Sequence, residues 1–193
     1  PAGGRPVGNY YTITRGEHNN FNFRYDFNDK LYFSNSYSEN NAHYVYRYKP
    51  QNGAVNKDAI FTVQTNLSQL HYDDQSFKAI LSYTNTDQNN FTKARNKSGS
   101  TYLDTIKTIS NAGYNDRTYG LDLQKNWKLE NDVAIFGVNV QRDTCDYSED
   151  SLTVATNKYT SASRDYSRNM YSAYGQYNHA LNKASNLIFS ARE

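Results

Sequence analysis

"RTYGLDLQKNWKLENDVAIFGVNVQ", residues 117 to 141, contains two arms of alternating apolar and polar residues on either side of a short polar segment. Successive side chains of a β-strand point to opposite faces, so each arm predicts a strand with one apolar and one polar face. The polar segment, residues 129 to 132, predicts the turn of a hairpin. The residues that we expect on the apolar face are Tyr119, Leu121, Leu123, Trp127, Phe136 and Val138.

The same pattern recurs along the chain. Segments rich in turn-forming residues at 28 to 30, 72 to 75 and 181 to 184 each separate two arms of alternating residues. No segment keeps apolar residues at the spacing of an amphipathic helix over three turns. Four hairpins therefore predict an all-β protein with about eight antiparallel strands.

The composition indicates an ordered chain without a thick core. Leu, Ile, Val and Phe supply 35 of the 193 residues, about 18%, which is below the share usual for a packed interior. The 19 tyrosines and the net charge of only +2 argue against disorder, because disordered chains are poor in aromatic residues. We therefore expect a one-layer sheet with a thin apolar band. The low net charge gives no indication of a nucleic-acid partner.

The connections between hairpins differ from the turns within them. Residues 49 to 58, 90 to 115 and 145 to 164 are rich in Asn, Ser, Thr, Lys, Asp and Gly, and they predict long loops. Short turns at one end and long loops at the other are typical of outer-membrane barrels. An aromatic residue also stands near each short turn, where such barrels carry an aromatic girdle. The sequence thus predicts an antiparallel transmembrane β-barrel in contact with outer-membrane lipid and lipopolysaccharide.

Three segments resemble the barrel hairpins of TonB-dependent outer-membrane receptors: "FRYDFNDKLYFSNSYS" (23 to 38), "TYGLDLQKNWKLENDVAIFGVNVQ" (118 to 141) and "RNMYSAYGQYNHALNKASNLIFSARE" (168 to 193). The resemblance implies active uptake of a siderophore, haem, cobalamin or glycan across the outer membrane of a Gram-negative-type bacterium. It also implies that the TonB complex supplies the energy through a plug domain, and that the chain is not an enzyme and needs no cofactor.

The departures from this family suggest a partial barrel. Residues 1 to 193 show no plug-like segment, and they lack the terminal aromatic residue with which the family's last strand ends. The predicted turns recur about every 51 residues, so a 22-stranded transporter barrel would need roughly 560 residues. We therefore expect residues 1 to 193 to form one part of the barrel domain, without a plug.

A basic and aromatic segment, residues 89 to 107, is the candidate ligand loop. Its charged and aromatic side chains could bind an anionic, aromatic siderophore or a sugar chain. The simpler interpretation is a solvated loop above anionic lipopolysaccharide. The candidate residues are Phe91, Lys93, Arg95, Lys97 and Tyr102.

No catalytic or metal-binding motif is predicted. The four histidines, His18, His43, His71 and His179, lie far apart, and none has the neighbours of a known zinc motif. Cys145 stands close to two aspartates, a setting that disfavours the thiolate.

Two alternatives to the receptor remain open. The chain could form a complete eight-stranded outer-membrane barrel with a structural or adhesive role, because eight strands make the smallest such barrel. It could instead be a secreted β-sheet protein that stacks its tyrosines on carbohydrate.

Overall fold

The structure, a computed structural model, describes residues 9–48, 54–99, 101–130, 132–182 and 185–192. These residues form eight strands and, between β6 and β7, a short 3-10 turn at Val154–Thr156. The strands are β1 (Asn9–Asp26), β2 (Leu31–Tyr48), β3 (Ala54–Asp73), β4 (Phe77–Ser98), β5 (Thr101–Lys128), β6 (Asp132–Thr153), β7 (Lys158–Asn182) and β8 (Ser185–Arg192).

All eight strands belong to one antiparallel sheet. Each strand pairs with its sequence neighbour, so the order in the sheet is β1-β2-β3-β4-β5-β6-β7-β8. The predicted all-β class, the four hairpins and the number of strands are confirmed. Among the described residues no pairing joins β8 to β1, and closure into a barrel stays a prediction.

The prediction of long loops was wrong wherever the structure describes them. Most of the segment 90 to 115 belongs to β4 and β5, and most of the segment 145 to 164 belongs to β6 and β7. Only the end of the segment 49 to 58 is described, and there β3 begins at Ala54. These strand ends hold only scattered apolar residues, such as Phe91, Ile109 and Leu152, so they lack the regular apolar alternation by which a strand is recognised in a sequence.

The sheet has no hydrophobic core of its own. Among the described residues the buried apolar side chains are only Ala42, Val45 and Ala59, and no large side chain is fully buried. A single layer leaves both faces open, so hydrogen bonds between strands and cross-strand side-chain contacts hold it together. The described residues form the expected one-layer sheet with little apolar interior.

Side-chain carboxyl and amide oxygens shape the two turns at residues 27 to 30 and 74 to 76. Asn28 Oδ1 accepts hydrogen bonds from the backbone N–H of Lys30 at 2.9 Å and of Leu31 at 3.0 Å. Asp74 Oδ1 accepts from the N–H of Phe77 at 2.7 Å and of Ser76 at 3.1 Å. Such Asx contacts favour a turn over continued strand. Each turn therefore fixes the register of the hairpin that it closes.

A glycine and a tyrosine on neighbouring strands fit together on one face of the sheet. Tyr174 of β7 pairs with Gly137 of β6, and a Cβ atom at Gly137 would overlap the tyrosine ring. The ring lies there because the Tyr174 hydroxyl donates a hydrogen bond of 2.9 Å to Gln124 Oε1 on β5. The pair thus links three adjacent strands.

We expect the turn carboxylate Asp74 to make stability depend on pH. Hydrogen bonds from the Phe77 N–H first, then from the Ser76 hydroxyl, lower the pKa of Asp74 from 3.8 to about 2. A lowered pKa stabilises the fold above pH 3.8, and this contribution is lost as the pH falls toward 2. In urea titrations followed by circular dichroism, Asp74→Ala should therefore unfold earlier than wild type at neutral pH, with the difference shrinking between about pH 4 and pH 2.

A matched variant separates this effect from loss of charge alone. Asp29→Ala removes a turn carboxylate that accepts no hydrogen bond from the described residues. It should change the urea midpoint little at any pH. A pH-independent difference between Asp74→Ala and wild type would contradict the assignment.

We expect Gly137→Ala to destabilise the sheet by roughly 1 to 3 kcal/mol, because the new methyl group must displace the Tyr174 ring. Gly175→Ala on the adjacent strand is the control, since the nearest atom to its added Cβ is the Ile135 carbonyl oxygen at 4.0 Å. Its effect should stay within about 0.5 kcal/mol. Equal shifts of the two urea midpoints would show that the tyrosine ring does not constrain Gly137.

Candidate functional site

One face of the sheet carries continuous rows of apolar side chains near the short turns. Directly paired residues of neighbouring strands share a face. The ladder therefore places one unbroken apolar row across seven strands: Tyr25, Phe33, Leu70, Leu81, Leu121, Val140 and Tyr171. A second row on the same face, one step closer to the turns, contains Leu31, Tyr72, Ala79, Leu123, Val138 and Ala173.

We call these two rows, with the aromatic residues that flank them, the apolar band. The flanking residues are Phe21, Phe23, Phe77, Tyr83, Tyr119, Trp127, Phe136, Tyr177 and Phe189. All six residues predicted for the apolar face in β5 and β6 lie in this band. Most of its large side chains are exposed, with Tyr171 at 72% and Phe21 at 60%. The band is thus a broad apolar surface that nothing within the described chain covers.

The opposite face is polar at the same level, and we call it the polar face. One of its rows contains Arg24, Ser34, Gln69, Ser82 and Gln141, and the apolar exceptions on this face include Ile80, Ile135 and Met170. Its side chains bond to one another along and across strands. Gln124 donates to Asn126 at 2.7 Å, and Gln176 donates to Asn178 at 2.9 Å. At this end the sheet therefore has two chemically distinct faces.

Aromatic and basic side chains mark the edge of the band nearest the turns. Trp127, Ala134, Tyr177 and Phe189 form the last row of the band on this side. Lys125 also lies on the apolar face, but its Nζ reaches within 3.4 Å of the Ser76 hydroxyl in the turn. A long side chain that carries its charge away from apolar neighbours behaves in this way at a boundary with water.

The candidate ligand residues are strand residues and do not form a loop. Phe91, Lys93, Arg95 and Lys97 lie in β4, and Tyr102 lies in β5. The structure also divides them between two grooves, which was not predicted. Phe91 and Lys93 line one groove of about 460 Å³ on the same face as the apolar band. Lys97 and Tyr102 line another groove, of about 430 Å³, and Arg95 borders both.

The second groove is also lined by residues that were not among the candidate ligand residues. We call it the distal basic groove and define it by Tyr46, Lys57, Lys97, Tyr102 and Lys107. The register places Tyr46 and Lys57 on the polar face, far from the short turns. Lys57 lies within a segment predicted to be a loop, so its pairing with Tyr46 could not be recognised. In the sequence, the only indication of this groove is that Lys97 and Lys107 lie on either side of residue 100.

A charged cluster sits on the polar face between the apolar band and the distal basic groove. Asp143 accepts hydrogen bonds from Arg168 Nε at 2.7 Å, Gln141 Nε2 at 2.8 Å and Thr118 Oγ1 at 2.9 Å. These bonds, that of Gln141 first, lower the pKa of the Asp143 carboxyl against the opposing effect of desolvation. Asp143 therefore stays charged and holds three strands together.

The cysteine thiol stays protonated. A hydrogen bond with Asp116 and partial desolvation raise the pKa of Cys145 from 9.0 to about 11. This agrees with the expected unfavourable setting for a thiolate. The described histidines are also apart from one another, His43 near Asp58 and His179 bonded to Asp132 at 2.7 Å.

Two further features are absent from the described part of the chain. No group of three or more His, Cys, Asp or Glu residues there could hold a metal ion. No helix among the described residues has the length and apolar character needed to cross a membrane.

No protein-family model matches the chain, and no curated protein sequence matches it. The resemblance to TonB-dependent receptors therefore rests on the three hairpin segments alone.

Proposed function

We propose that this chain forms part of the wall of an outer-membrane β-barrel, with the apolar band toward lipid and the polar face toward the interior. The observation that carries the proposal is the apolar row that runs unbroken across seven strands of a one-layer sheet. Soluble proteins seldom expose an apolar patch larger than a few hundred Å². Lipid is the environment that would cover this one without another protein layer.

The height of the band supports a membrane environment. From Tyr119 to Trp127 the band covers eight residue steps, which is about 27 Å along the strand. At the tilt of about 40° usual in barrels this becomes roughly 21 Å, close to the apolar belt of outer-membrane barrels. Beyond Tyr119, β5 continues for 18 residues, or about 60 Å. Strand β5 is thus long enough to cross the membrane and to project well beyond it.

Both edges of the sheet need partner strands if the sheet lies in a membrane. Among the described residues β1 pairs only with β2, and β8 pairs only with β7. An unpaired backbone group costs several kcal/mol in hydrocarbon, so both edges need partner strands in a membrane. The hairpin spacing and the resemblance favour a 22-stranded barrel over a closed barrel of eight strands.

The proposed protein is accordingly a TonB-dependent receptor for uptake of a siderophore, haem, cobalamin or glycan, and not an enzyme. A secreted carbohydrate-binding sheet fits less well, since its tyrosines would be accompanied by a broad apolar surface in water. Lipid and lipopolysaccharide would contact the apolar band, and the TonB complex would act through a plug outside this chain.

The size and location of the native gene product provide the first test. We expect an antibody against residues 89 to 107 to detect an outer-membrane protein that is heat-modifiable in gels and several times longer than 193 residues. A heat-modifiable band of about 193 residues in that fraction would instead support the complete small barrel. A soluble product would contradict the membrane assignment.

Substitutions at adjacent positions test which face meets lipid. Leu123→Arg in the native gene should cost roughly 2 to 4 kcal/mol at mid-bilayer depth and lower the amount of protein in the outer membrane. Asn139→Arg is the matched control, because it adds the same charge on the polar face, where Asn139 pairs with Asp122, the neighbour of Leu123. Its outer-membrane level should stay close to wild type. Equal tolerance of both substitutions would contradict the lipid-facing assignment.

A further inference from the structure

Positive charge is concentrated where β2, β3, β4 and β5 end away from the short turns. The described residues 44–48, 54–58, 93–98 and 101–108 contain six cations and two carboxylates, a net charge of +4. The whole chain carries only +2, so the remaining residues together carry −2. The carboxylates are Asp58 and Asp104, and the cations are Arg47, Lys57, Lys93, Arg95, Lys97 and Lys107.

Three lysines and no carboxylate line the distal basic groove. Arg95 contacts Asp58 at 3.3 Å and donates to the Asp104 carbonyl oxygen at 2.7 Å. Asp58 is therefore engaged by Arg95, which itself borders the groove. The positive potential at the groove persists, because three lysines line it and no carboxylate does.

Aromatic rings stand beside two of these lysines. Lys57 Nζ lies 5.5 Å from the centre of the Tyr46 ring, and Lys97 Nζ lies 5.5 Å from the centre of the Tyr102 ring. Both distances fall within the range of cation–π contacts. A groove that offers ammonium groups next to flat rings suits a ligand with both negative charge and a flat apolar surface.

Irregular strand pairing shapes this part of the sheet. The ladder shifts between Tyr46 and Arg47 on β2, between Ala94 and Arg95, and again between Arg95 and Lys97 on β4. Bulges change the direction of side chains and occur often next to binding sites. Three register shifts therefore surround one groove, whereas the ladder between β5 and β6 has none.

We propose that the distal basic groove binds a small polyanion that bears an aromatic ring, and that the lysines at 57, 97 and 107 select it over neutral ligands. The groove of about 430 Å³ is in the size range of small-molecule sites. The groove opens on the polar face. Along β3, Lys57 in the groove is about 47 Å from His71, which lies at the level of the apolar band. The inference rests on the proposed function only in treating this end as the ligand entrance.

The test measures binding of hydroxypyrene trisulfonate, an aromatic trianion, to the native protein purified from its membranes. Fluorescence anisotropy should detect binding that weakens as salt is added, since salt screens exposed charges. The triple variant Lys57→Gln, Lys97→Gln, Lys107→Gln should bind roughly ten-fold more weakly. A large excess of neutral dextran should not displace the probe.

A control with the same loss of charge identifies the groove. Lys30→Gln, Lys128→Gln, Lys158→Gln removes three lysines from turns and strand ends outside the groove, and it should bind within about two-fold of wild type. Lys107→Glu alone, at an exposed position, should weaken binding more than Lys158→Glu. Heat-modifiability in gels shows that each variant remains folded.

The possible outcomes separate this inference from the proposed function. Equal weakening by both triple variants, displacement by neutral dextran or absence of probe binding would overturn the groove assignment even if the protein is found in the outer membrane. A soluble gene product that still binds the trianion through these lysines would sustain the groove and overturn the membrane proposal.

Discussion

Backbone hydrogen bonding between neighbouring strands is the interaction on which the whole sheet depends. Among the described residues no second layer covers either face, and the buried apolar side chains are only Ala42, Val45 and Ala59. A packed core therefore cannot hold this fold together, whereas the ladder is independent of which side chains project from it. The chemistry of each face can then vary along the strands. Near the short turns the faces differ sharply, and farther away the difference is smaller, because apolar side chains such as Ile60 and Phe91 are fewer there.

Register converts the alternating sequence into the apolar band. A slip of one residue would move every apolar side chain of a strand to the polar face. The contacts that prevent such a slip are small and polar: Asn28 and Asp74 close two of the turns, and Tyr174 rests on Gly137 while bonding to Gln124. The position of a large apolar surface thus depends on a few local hydrogen bonds and on one glycine.

The sequence predicted the parts of the fold in which the two faces differ. Residues such as Leu121 and Asp122 reveal a strand because one is apolar and the next is polar. The segment around Asn115 and Ser148 carries polar residues on both sides, so its strands looked like loops, although the ladder continues through Asn115↔Asp146. The candidate ligand residues were recognised by type only. Their division between two faces depends on bulges in β4, which leave no clear mark in the sequence.

The strand ends far from the short turns are subject to different constraints from the apolar band. Near the turns a side chain on the apolar face has to match its cross-strand neighbours, and a charge there must reach water as Lys125 does. At the distal ends apolar side chains are fewer and an exposed lysine costs little stability. Charges can therefore accumulate at that end without weakening the fold. This difference gives a physical reason why four strands bring cations together far from the band.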